Sequence, residues 1–107
     1  MTDGLAQESW QRAESLCREA KMSAAGGDLE RARGLWARAI DVAREGERSE
    51  SPQESIDCSS VLWEITEEMA RAGELAEARR VAQGIRNAWK RSRALGAIEV
   101  IEKGREQ

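Results

Sequence analysis

The sequence has no histidine, no tyrosine and no phenylalanine, and a single proline. Without histidine there can be no Ser-His-Asp triad, no imidazole general base and no histidine metal site. The four tryptophans are the only aromatics, so they must supply whatever large anchors the core needs. Cysteine is scarce: Cys17 and Cys58 form no CxxC pair, and two thiols without histidine make a poor zinc set. Both are expected to be small buried hydrophobes in a reduced compartment, with no metal and no cofactor. No apolar run approaches the ~20 residues that span a bilayer. The opening stretch, MTDGLAQESW, lacks a basic region followed by an apolar one, so no signal peptide and a cytoplasmic location are expected. β-branched residues are sparse, and nothing alternates with period two over the length of a strand.

What remains is rich in Ala, Glu, Arg and Leu, with 40% hydrophobic and 35% charged residues and a net charge of −3. That balance suits one soluble helical domain with a modest core. Apolar three-four spacing predicts five helices, over residues 5–25, 28–44, 52–72, 75–86 and 88–103. The first carries Trp10, Ala13, Leu16, Cys17, Ala20 and Ala24, and ends at Gly26 and Gly27, with Asp28 placed to cap the second. The second carries Leu29, Ala32, Leu35, Trp36, Ala39, Ile40 and Ala43. Residues 45–51 are polar and charged and read as a loop. Ser51-Pro52-Gln53-Glu54 is the sharpest local signal. Ser51 is set to accept from the Glu54 N–H, Glu54 to reach back to the Ser51 N–H, and Pro52 fits the first helical position. The third helix carries Ile56, Leu62, Ile65, Met69 and Ala70 and breaks at Gly73; the fourth carries Ala78, Val81, Ala82 and Ile85. After a short break at Asn87, the fifth carries Trp89, Ala94, Leu95, Ile98 and Ile101, and residues 104–107 are expected to fray.

Two stretches echo each other: AAGGDLERAR from Ala24 to Arg33, and ARAGELAEAR from Ala70 to Arg79. The match places Gly27 on Gly73, Leu29 on Leu75 and Ala32 on Ala78. A second echo, Leu62 on Leu95 and Ile65 on Ile98, has the spacing of helix-turn-helix repeat arrays. GDLERARGLWARAIDVA resembles the second half of a tetratricopeptide repeat, with Gly27, Leu29, Ala32, Trp36 and Ala39 at the turn, apolar, small, aromatic and small positions. The second copy departs from that pattern, with Ala82 in place of the aromatic and Ile85 in place of the last Ala. The stretch Ile85 to Ile98 is similar to a junction in degenerate bacterial members of the family.

The resemblance covers about Trp10 to Ile101. It implies an all-α, right-handed α-solenoid of antiparallel hairpins, here two hairpins plus a C-terminal helix. It also implies a protein-binding adaptor rather than an enzyme, with a concave face lined by the first helix of each pair. Carried over to this sequence, that face comprises Glu14, Cys17 and Lys21; Ser60, Trp63, Glu67, Ala70 and Arg71; and Arg93, Gly96 and Val100. Trp63 has two readings, a peptide anchor in the groove or a core residue. The Lys/Asn clamp by which some members hold a C-terminal carboxylate is not transferred, because the groove positions lack the asparagines.

Charge is unevenly placed. From Glu45 to Glu68 there are eight acids and one base, whereas Arg79, Arg80, Arg86, Lys90, Arg91 and Arg93 form a run without acids. The run reads as a solvated face paired to the acidic middle, or as a patch for an acidic partner or a phosphate backbone; the acidic overall balance disfavours nucleic acid. Carboxylates sit at solvated helical spacings such as Glu64, Glu67 and Glu68, and Gly26-Gly27-Asp28 is a turn rather than a phosphate loop. No catalysis is expected. Ile98, Val100 and Ile101 do not share one narrow stripe, so the last helix is expected to cap the array or, as alternatives, to join two copies in a homodimer or to continue into a longer array.

Overall fold

The computed structural model describes residues 8–106, and within them the chain is all-helical. The helices are α1 (Ser9–Ala25), α2 (Leu29–Glu47), α3 (Pro52–Arg71), α4 (Leu75–Gln83) and α5 (Ala88–Glu106). Each packs on the next in sequence; α3 also packs on α1 and α5, so α1, α3 and α5 form a row with α3 at its centre. Among the described residues, no helix is long and apolar enough to cross a membrane.

The two echoing stretches build the same turn. Gly27 and Gly73 take positive φ values of 89° and 95°, a conformation glycine adopts at little cost. In each turn the following residue donates back to the last helical turn: Asp28 N to Ser23 O at 2.8 Å, and Glu74 N to Met69 O at 2.9 Å. That is the glycine-terminated closure that satisfies orphan carbonyls at a helix end. The turns differ one residue later. The Asp28 side chain caps α2 by accepting from Arg31 N, whereas the Glu74 side chain pairs with Arg33 of α2, joining the second turn to the first hairpin.

Helix ends differ from expectation where distant partners intervene. The predicted start of the first helix at residues 5–7 lies outside the described residues, and Glu8 is the non-helical cap of α1. The predicted loop at 45–51 is shorter, because α2 continues through Gly46 and Glu47, both buried. At α3, Ser51 Oγ accepts from Glu54 N at 3.3 Å as expected. Glu54 does not reach back; it accepts from Ser9 N at the start of α1, and Ser51 N turns to Ser49 Oγ instead. Helix α4 stops at Gln83 rather than residue 86, and Asn87 Oδ1 caps α5 by accepting from Lys90 N. Residues 104–106, expected to fray, are helical. Arg105 donates to Arg71 O at 3.2 Å, placing a cation on the carbonyl end of α3.

The core is one cluster running from Ala13 to Ile98, with Trp36, Leu62, Ile65, Ile85 and Ile98 its largest fully buried side chains. Two expected core positions lie at the surface: Ile56 is 40% exposed and Trp89 is 61% exposed. Conversely, Ile98 is fully buried and Ile101 is half-buried against the core, so neither offers the free apolar surface that self-association needs. Of that expected trio only Val100 faces outward, at 70% exposure.

Candidate functional site

A hollow of about 620 Å³ opens where α1 ends, α2 begins and the second half of α3 crosses them. Its walls are small, from Ala24, Ala25, Gly27 and Ala72, because the glycine turn and the alanine-rich end of α1 leave no bulk there. Trp36 of α2 forms part of the floor. Glu64, Glu67 and Glu68 project from α3, at i, i+3 and i+4, and therefore share a face. Lys21 and Arg71 bring the positive charges to the lining. A smaller hollow of about 190 Å³ continues along the same α1–α3 junction, lined by Trp10, Glu14, Asp57, Ser60, Val61 and Glu64.

The electrostatics of this cleft are uneven. Arg71 pairs with Glu67 at 3.4 Å, a partly exposed i,i+4 pair worth little by itself. Glu64 has no such partner: burial raises its pKa, and the nearby Glu68 and Glu14 charges raise it further, against Lys21 and Arg18. Burial also raises the Glu68 pKa, opposed by the Cys17 thiol, Lys21, Trp36 and Arg71. Cys17 Sγ donates to Glu68 Oε2 at 3.2 Å. Burial and then the Glu68 charge push that thiol far above the ordinary range, so it remains a protonated donor. Cys58 is likewise pushed up to about 11, by burial first and then by Glu54 and Glu47. Cys17 Sγ and the carboxylates of Glu64 and Glu68 have ligand atoms within 4.8 Å of one another.

Two polar atoms of the cleft lack partners: Trp36 Nε1 and Glu68 Oε1 are buried without a hydrogen bond. The two are neighbours: the indole N–H lies against the Glu68 carboxylate as a long donor and helps to lower its pKa.

The structure thus brings Glu14, Lys21, Ser60, Glu67 and Arg71 together along the α1–α3 cleft, as the sequence groups them. Cys17 and Ala70 do not join them on the surface. Both are fully buried, because their helical positions point between the helices rather than along the exposed edge. Trp63 lines neither hollow. It is half-buried on the α5 side of α3, where its ring meets Trp89 edge-to-face at 5.9 Å and 79°. Lys90 Nζ lies 5.9 Å from the Trp63 ring and 5.5 Å from the Trp89 ring, and Arg93 lies 5.3 Å from Trp89. Trp63 therefore belongs to a cation–aromatic stack that joins α3 to α5.

The six bases of the later segment are dispersed over internal partners. Arg79 pairs with Glu102 and Arg80 with Glu77. Arg86 donates to Glu47 O, and Arg91 to Ile85 O at 2.8 Å. Lys90 and Arg93 sit over the tryptophan rings. Three cleft residues escaped the sequence reading: Glu64, Glu68 and Trp36. The helical spacing of Glu64 and Glu68 from Ser60 already placed the acids on the groove side, but their solvated look concealed it. Trp36 was assigned to the core, where it is, and it lines the cleft as well. The chain matches no family model, no curated protein and no solved structure.

Proposed function

We propose that this chain is a protein-interaction module whose α1–α3 cleft takes a peptide or helix of another protein, on a tetratricopeptide-like stack of hairpins. The observation that carries the reading is the 620 Å³ hollow with its smaller extension along one helix junction. It has the size of a specific binding site, small walls that let a backbone approach, and a few convergent polar groups. The repeated glycine turns and the α1–α3–α5 row support the stack. The test is a photo-crosslinking residue at position 25 in the cleft, compared with one at position 38, exposed on α2 outside it. The segment captured from position 25 is then synthesised and titrated by calorimetry. Ala25→Arg, which fills the mouth of the hollow, is expected to weaken binding at least about tenfold, or 1.4 kcal/mol, while Arg38→Glu leaves it unchanged. Undiminished binding to Ala25→Arg sinks the proposal.

One observation favours a second reading, self-association. Trp89, Arg93, Gly96 and Val100 are all exposed and spaced by four, three and four residues, so they form a stripe on α5 with large apolar ends. Under this reading, light scattering shows mass rising toward a dimer with concentration, and Val100→Glu restores the monomer. A constant monomer mass removes it.

A further inference from the structure

Helix α5 packs on α3 and α4, and among the described residues no helix covers its other side. Positions three, four and seven away from a helical residue share its face. On the bare side of α5 the central residue is Gly96. Trp89 and Arg93 lie seven and three positions before it, and Glu99, Val100 and Lys103 lie three, four and seven after it. All six are exposed. Trp89 keeps 61% of its surface exposed although it meets Trp63 edge-to-face, and Val100 is 70% exposed.

The charges of this face are arranged with opposite signs about the glycine. A second α5 laid antiparallel, with a two-fold axis at Gly96, sets each residue level with the one equally far on the other side of that glycine. Arg93 then faces the partner's Glu99, and Glu99 faces the partner's Arg93. Trp89 lies level with the partner's Lys103, a cation beside an aromatic ring. A parallel alignment would instead set Arg93 on Arg93 and Glu99 on Glu99, so charge selects the antiparallel one. At the axis, a Cβ added to Gly96 would meet no heavy atom within 4 Å, so nothing in the chain keeps a second backbone from approaching. Within the chain these charges are loosely engaged. Glu99 pairs only with Lys103, at 3.8 Å and well exposed, and Arg93 lies 5.3 Å over the Trp89 ring without a carboxylate partner among the described residues.

We propose that this face docks a second copy of the chain through α5, antiparallel and centred on Gly96, with Arg93 against the partner's Glu99 on both sides of the axis. The same patch serves both copies, as a two-fold interface requires. Trp89 and Val100 contribute apolar area, and the charges fix direction and register. This rests on the self-association reading and gives it a geometry. One helix pair is a small interface, so the dimer is reversible.

The test is the mass of the full chain by sedimentation equilibrium over a wide concentration range. Arg93→Glu and Glu99→Arg each set two like-charge pairs across the axis, and each is expected to weaken the dimer at least about tenfold. Mixing these two variants is expected to give a heterodimer, because one chain then carries acids at both positions and the other carries bases. Both changes in one chain are expected to return the dimer to within about threefold of wild type. Gly96→Leu is expected to remove the dimer without lowering the melting temperature of the dilute chain. A monomer at every concentration overturns both this surface and the self-association reading. If a dimer forms but tolerates both single reversals, is not rescued by the double one, fails to form from the mixture or survives Gly96→Leu, the Gly96-centred antiparallel docking is overturned and self-association stands.

Discussion

Replacing Glu47 with alanine is expected to lower the unfolding free energy by about 3 kcal/mol, from the loss of charge-assisted hydrogen bonds worth roughly 1.5–3 kcal/mol each. Glu47 is 3% exposed, at the end of α2. Its carboxylate accepts from Ser59 Oγ at 2.6 Å and from Arg86 N at 3.0 Å, and its carbonyl accepts from Ser55 Oγ at 2.8 Å. One side chain therefore joins α2 to α3 and to the turn between α4 and α5. Truncation removes the acceptor and strands a buried hydroxyl and a backbone N–H, which is worse than removing both sides of the contact. For a domain of this size the melting temperature should fall by more than about 10 °C. Glu47→Gln should fall between the two, because an amide oxygen still accepts while its NH2 group meets donors. A loss below about 1 kcal/mol for Glu47→Ala in urea unfolding would mean that water replaces the carboxylate and that the site is not closed.

Glu47 also shows where sequence reading reaches its limit. Residues 45–51 look like a solvated loop because every local cue is polar. The burial of Glu47 depends on Ser59 and on Arg86, the latter 39 residues away, and no local pattern announces such a pairing. Glu54 follows the same logic: its spacing from Ser51 fits a reciprocal cap, but an unsatisfied N–H at the start of α1 competes for the carboxylate and takes it. Helix identities were legible because they rest on three-four periodicity and on glycines at the turns, both local. The groove side of α1 and α3 was legible for the same reason. What was hidden is rotational detail: a small helical rotation decides that Cys17 is buried while Glu14 and Lys21 line the cleft. Trp63 illustrates this best. Its ring turns away from Glu67 and Arg71 toward α5, where Trp89 and Lys90 offer an aromatic edge and a cation.

Gly46 carries the other large effect, and its sign opposes helix propensity. In an exposed helix interior, glycine to alanine gains about 0.5–1 kcal/mol, because the backbone loses less freedom on folding. Gly34 and Gly96 have no heavy atom within 4 Å of an added Cβ, so Gly34→Ala and Gly96→Ala should each raise stability by about that amount. At Gly46 the added Cβ would lie 2.2 Å from Cys58 Sγ and 2.7 Å from Ser9 Cβ. The neighbours belong to the first turn of α1 and to α3, and neither is the free end of a flexible side chain. The three helices meet there at a separation only glycine permits, so alanine must push α1 or α3 outward. Overpacking of this kind costs about 1–3 kcal/mol, and the severity of the contacts places Gly46→Ala at the upper end, about 2 kcal/mol net of propensity. The helix shift also moves Ser9 off Glu54 and Cys58 away from its core neighbours, so the loss should appear as a cooperative drop in midpoint rather than as fraying. Pairing Gly46→Ala with Cys58→Ala removes the nearer clash. The double variant should therefore lose less than the sum of the two single losses, by at least about 0.5 kcal/mol. Simple additivity, or a Gly46→Ala variant as stable as Gly34→Ala, would show that the three helices have slack at their meeting point and that the glycine is not required there.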